Sequence, residues 1–228
     1  MVDVRARTEF GQGPLSRVAA FVYTLFVVEV LLLVTSLPGL VALVLLDRDA
    51  SNLPIAALCL VPFGPALSAA VYALHHRKLD LTELKPAVAF FRGYRLNVGG
   101  VLRIWLPWLV WVTIVGVSLA NFSAAGVPSW WAGLLVAIAV LAALWGANAL
   151  VITSLFAFRA VDIARLAAYF LVRARGTTLG NVCLLVVAVG VTVVSSELIV
   201  LLLGSIFALA LLRTSQPMIT EVRERFTA

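Results

Sequence analysis

The chain has 228 residues, of which 63% are hydrophobic and 12% charged, whereas a soluble globular domain carries roughly 25% charged residues. That composition, with a mean hydropathy of +1.08, excludes a water-soluble fold and makes lipid the solvent, because the uncharged stretches match a bilayer core of about 30 Å. The net charge of +6 resides in short loops between apolar runs, which assigns it to anionic lipid headgroups and gives no case for a nucleic-acid partner.

In lipid every backbone N–H and C=O needs a partner inside the protein, which leaves helices or a closed barrel. The apolar runs are continuous, as in Leu31 to Val34 and Leu134 to Leu144, and lack the alternation of barrel strands. The sequence therefore predicts an all-α integral membrane protein, a six-helix transmembrane bundle. Its spans fall at about 18–46, 53–74, 104–121, 130–158, 179–196 and 198–212 within a single transmembrane domain of residues 18–213. A cytoplasmic segment (1–17) precedes that domain, and a cytoplasmic tail (214–228) follows it. The first run is too long for the apolar core of a cleaved signal peptide and is read as a retained anchor. Pro38 is expected to kink the first span, and Pro62, Gly64 and Pro65 interrupt the second. Trp105, Trp108, Trp111, Trp130 and Trp131 are read as interfacial aromatics. Cys59 and Cys183, both inside spans, are read as packing residues without disulfide or metal chemistry.

Sixteen of the seventeen Lys and Arg residues fall on one side of this topology: three before the first span, six between Arg77 and Arg103, four between Arg159 and Arg175, and three from Arg213 onward. Only Arg48 lies opposite. The positive-inside rule then places both termini in the cytoplasm. The delicate point is the last pair of spans, where Ser195, Ser196 and Glu197 must make the turn. A five-span count would put the C-terminus outside.

The two basic loops share a pattern. Arg77-x-x-Asp80 and Arg159-x-x-Asp162 are each followed by an apolar, aromatic stretch and paired basics, Arg92/Arg95 and Arg173/Arg175, and then by Asn97-Val98 and Asn181-Val182. Each segment suits a helix lying in the inner headgroup layer. Two such interfacial elbows imply a parallel two-span repeat.

Gly13-Pro14-Leu15-x-Arg17, Leu37-Pro38, Phe90-Phe91-Arg92 with Asn97, and Leu155-Phe156-Ala157-Phe158-Arg159 resemble the YesL family of uncharacterised bacterial membrane proteins, over about residues 13–212. The resemblance implies a small polytopic protein of a kind often encoded near sugar-uptake transporters and polysaccharide-degrading enzymes. It transfers no catalytic residues.

An ionisable side chain in a span costs about 2.5–3.5 kcal/mol on insertion scales unless paired or hydrated. Glu29 must therefore face protein or water, and Arg103 and Asn148 are its expected partners in an intramembrane polar site. Asn148 can equally bridge helices. The lipid- or partner-contact candidates are Arg92, Arg95, Arg159, Asp162, Arg173 and Arg175. His75 and His76 are adjacent and point different ways, so no metal site is expected from them. No nucleotide-cradling, metalloprotease or hydrolase motif is present, and no cofactor is implied. The expected function is non-enzymatic: an accessory membrane protein associated with other membrane proteins, such as the subunits of a carbohydrate ABC importer. The alternative is a small-solute transporter or channel using Glu29 and Asn148.

Overall fold

The computed structural model describes residues 14–47, 49–77, 84–194 and 197–226, and every regular element among them is helical. Helix α1 (Pro14–Val44) opens on proline, whose fixed φ and missing N–H suit a first helical position. Its 31 residues measure about 46 Å at 1.5 Å per residue. The helix passes through Pro38 without ending. One turn earlier, the Thr35 hydroxyl donates to the Leu31 carbonyl at 2.7 Å. In the turn that follows α1, Asp49 accepts the Ser51 N–H at 2.8 Å and Asn52 donates to the Asp47 carbonyl at 3.0 Å.

The second predicted span is two helices, α2 (Leu53–Cys59) and α3 (Phe63–His75), bent by 45° at the break. The chain leaves helical register just before Pro62, Gly64 and Pro65, as expected of that cluster. Helix α3 is the hub, packing on α1, α4, α5 and α9. Gly64, Ala66, Ser68, Ala69, Ala70 and Ala73 are all buried, and small side chains are what allow helices to approach closely in lipid.

Helix α4 (Pro86–Ala120) corrects the first elbow. Its 35 residues run unbroken, so residues 86–103 form the first half of the helix that contains the span, not a separate interfacial helix. Nothing between Pro86 and Pro107 breaks the helix, and its inward face is committed to α3. Phe90 is fully buried, and a side chain at Gly93 would strike Tyr72, 2.7 Å away. After a short 3₁₀ turn closed by Gly126, whose φ of 62° favours glycine, α5 runs from Trp130 to Leu155. It stops where Phe156 becomes extended, three residues short of the predicted end.

The second elbow does form its own helix, α6 (Ala160–Arg173). Ile163, Ala167 and Phe170 are buried at helical spacing, whereas Val161, Asp162, Arg165 and Tyr169 face out. Helix α7 (Arg175–Val194) follows, starting four residues earlier than predicted. Ser195 and Ser196 of the expected turn lie outside the described residues, and Glu197 opens α8 (Glu197–Leu202). A break at Leu203 separates α8 from α9 (Gly204–Thr214). The end of α9 returns to the start of α7: Thr214 meets Gly180 and bonds Asn181.

Residues 214–228 do not behave as a tail over their described part. Residues 216–226 form α10 (Gln216–Phe226), with Met218, Ile219 and Val222 buried in the common core. Among the described residues, four helices are long and apolar enough to cross a bilayer, or five if the α2–α3 pair is one span.

Candidate functional site

Three groups of polar side chains lie inside this bundle or at its end. The first joins α5, α6, α7 and α9. Asn148, fully buried, donates to the Ala167 carbonyl at 3.3 Å and accepts from Asn181 at 3.2 Å. Asn181 in turn accepts from the Thr214 hydroxyl at 2.8 Å. Nearby, Trp145 donates to the Ala164 carbonyl at 3.1 Å, so α6 is held on α5 by two side chains one turn apart. Ser154 donates to Ser68 at 2.9 Å, and Asn97 donates to the Ser154 carbonyl at 3.0 Å, joining α3, α4 and α5. The two asparagines singled out in the paired loops thus both reach α5, from different helices.

The second group surrounds Glu29. Its Oε2 accepts the Ser205 N–H at 2.6 Å. Ser205 lies in the first turn of α9, where N–H groups have no intrahelical acceptor and the helix dipole favours a carboxylate. The break at Leu203 creates that need, and Glu29 meets it across 176 residues of sequence. Its Oε1 is buried without a hydrogen-bond partner and lies beside Gly204, where an added Cβ would be 3.4 Å away. This corrects the expected constellation of Glu29, Asn148 and Arg103. Glu29 bonds Ser205 of α9, whereas Asn148 bonds Ala167 of α6 and Asn181 of α7. Arg103 is exposed on α4.

The α2–α3 break is covered in a similar way. The Trp105 indole donates to the Leu60 carbonyl at 3.0 Å, and Gly39 brings α1 against the Cys59 carbonyl. Trp108 donates to the Ala142 carbonyl at 2.8 Å and stacks on Trp105 with centroids 4.6 Å apart. These two tryptophans are helix-to-helix ties, a correction to their reading as interfacial aromatics. Trp111, Trp130 and Trp131 do face outward. Cys183 is also exposed on α7, which corrects its reading as a packing residue, while Cys59 is buried as expected.

The third group is the basic end of the bundle. Arg77 follows α3, donates to the Leu74 carbonyl at 2.8 Å and lies 5.7 Å above the Phe21 ring. Burial pushes its guanidinium below the ordinary value, and the neighbouring Arg213 adds to the effect. Arg92, Arg95 and Arg103 occupy one outward face of α4, and Arg159, Asp162 and Arg175 are likewise exposed. Arg173 meets Glu221 of α10 at 3.5 Å, and Arg225 meets the same carboxylate at 3.3 Å. Glu221 and Ser205 are partners that the sequence alone did not identify. The Gly204-Ser205 pair that interrupts the apolar run 198–212 was the available signal for Ser205.

No family model matches this chain, and no curated protein or solved structure matches it.

Proposed function

We propose that this protein is a non-enzymatic accessory component of a bacterial plasma membrane that works by docking on another membrane protein. The observation that carries the reading is that interior polar side chains are engaged from helix to helix, with Asn148 on α5 bonded to Asn181 on α7. Asn148, Asn181 and Thr214 satisfy one another, and Glu29 is engaged on the backbone of α9. Polar groups used this way fix helices in place, which suits a scaffold. The resemblance to the YesL family makes a carbohydrate ABC importer the favoured companion. The elbow arginines and Asp162 would meet its cytoplasmic parts or the anionic headgroups around it.

The same reading takes the chain across the membrane six times, with both ends in the cytoplasm. Residues 197–214 would reach about 27 Å as helix, close to a bilayer core of about 30 Å. An alkaline phosphatase reporter should be active when fused after Gly126 and inactive when fused at Ala228. Activity at both positions would overturn the six-crossing arrangement.

Purification of the tagged protein from its native membrane in mild detergent tests the accessory role. A permease or its ATPase should be recovered in near-equal amount, and a solitary protein would refute docking. One observation favours a second reading, a small-solute transporter: the unpartnered Oε1 of Glu29 lies between α1 and a broken helix, the kind of element that lines transporter sites. On that reading Glu29→Gln abolishes a flux in proteoliposomes while the protein stays folded. On the accessory reading it changes stability alone.

A further inference from the structure

A cleft of about 250 Å³ opens at the basic end, between α1, the end of α3 and the start of α4. Thr24, Tyr72, His76, Arg77, Lys85 and Arg92 supply its polar lining, and apolar side chains from α3, from Leu84 and from the start of α4 supply the rest. We infer that this cleft is a binding site for a phosphate group, presented either by an anionic lipid headgroup or by a small soluble phosphate ester.

Charge is the first argument. Three permanent cations converge on one small concavity. Ordinary surface cations gain their stabilisation from water. Arg77 does not have that option in full, because it is partly withdrawn from solvent, held by the Leu74 carbonyl and the Phe21 ring, and set near Arg213. An anion in the cleft would relieve that repulsion. Two guanidinium groups beside one ammonium suit an oxyanion with several acceptor oxygens, because each guanidinium offers paired donors in a fixed plane.

Size is the second argument. The volume holds about eight water molecules at roughly 30 Å³ each, and it falls below the roughly 300–1,000 Å³ of pockets that enclose drug-sized ligands. A phosphate with a glycerol-sized substituent fits this volume. The hydroxyls of Thr24 and Tyr72 and the ring of His76 give such a substituent polar neighbours. The start of α4 adds to the same field, since its first turn carries no side-chain cap. This inference stands apart from the accessory role, because a lone protein would bind phosphate here equally well.

Native mass spectrometry of the full chain from phosphatidylglycerol-containing membranes tests it, together with titration of the detergent-solubilised protein with glycerol phosphate. The wild-type protein should retain one phosphatidylglycerol, bind glycerol phosphate, or both. Lipid retention alone identifies a headgroup as the source, and glycerol phosphate binding identifies a soluble ester. Lys85→Gln/Arg92→Gln, which leaves Arg77 and the helix packing intact, should reduce the bound fraction at least tenfold, whereas Arg173→Gln/Arg175→Gln should leave it unchanged. Absence of both ligands from the wild-type protein overturns the inference. So does equal loss in the two double variants, since that would mean general surface charge and not this cleft.

Discussion

The buried Asn148–Asn181 contact yields a quantitative test of how this bundle is held. Replacing Asn148 with Leu keeps the volume nearly constant and removes two hydrogen bonds, one to the Ala167 carbonyl and one from Asn181. Hydrogen bonds between transmembrane helices average about 0.6 kcal/mol and reach about 1.7 kcal/mol, because the unfolded chain in the membrane also finds partners. Two such bonds put the cost of Asn148→Leu at about 1–3 kcal/mol. Asn181→Leu breaks the shared bond and the one from Thr214, so its cost is similar. Because both variants break one common bond, the double variant should cost about 0.6–1.7 kcal/mol less than the sum of the singles. Unfolding in mixed micelles with increasing dodecyl sulfate, followed by tryptophan fluorescence, gives all three values. Additivity within about 0.3 kcal/mol, the behaviour of distant sites, would mean that the two amides do not touch and would refute the lock.

Gly39→Ala should destabilise by about 1–3 kcal/mol in the same assay, since its Cβ meets the backbone carbonyl of Cys59 and backbone cannot move as a flexible side chain can. Gly99→Ala, with open space around it, should be neutral or stabilising by up to about 1 kcal/mol from helix propensity, and equal effects at the two sites would contradict the α1–α2 contact. Trp105→Phe should cost about 1 kcal/mol through the lost bond to Leu60, whereas Trp111→Phe on the outward face should change stability by less than about 0.5 kcal/mol. The Asp49 carboxyl, held down first by the Ser51 side chain and then by its N–H, should titrate below the ordinary 3.8. The turn's contribution is therefore present above that value and fades as pH falls through the lower folded one. A carbon NMR titration that finds Asp49 at or above 3.8 would refute this hydrogen bonding.

Much of the architecture was legible in the chain because lipid leaves so few options. Continuous apolar runs can only be helices, and the runs at 18–46, 130–158 and 179–196 became α1, α5 and α7 with ends shifted by a few residues. The break in the second span followed from Pro62, Gly64 and Pro65, and the apolar, aromatic stretch between Arg159 and Arg173 formed a helix of its own, α6. Local signals failed where long-range packing decided. Residues 86–103 resembled the second elbow in composition, yet Phe90 and Gly93 fit the face of α3, so the helix continued into the span. The last residues read as a cytoplasmic tail, but Met218, Ile219 and Val222 are buried in the common core.

Composition and charge distribution by themselves determined the helical, membrane-compatible class of this protein and the clustering of its cations in short loops, because the energy of burying or exposing a residue type depends little on its partners. Partner choice is different. Whether Glu29 would meet Arg103, Asn148 or a helix end depended on which helices became neighbours, and the small faces of α3 set that arrangement by letting α1, α4, α5 and α9 close around it. Tertiary structure alone placed the Glu29 carboxylate on the first turn of α9, 176 residues away, joined Asn148 to Asn181, and set α1 beside the end of α3 and the start of α4 to shape one cleft around Arg77, Lys85 and Arg92, since the separations between helices are set by packing.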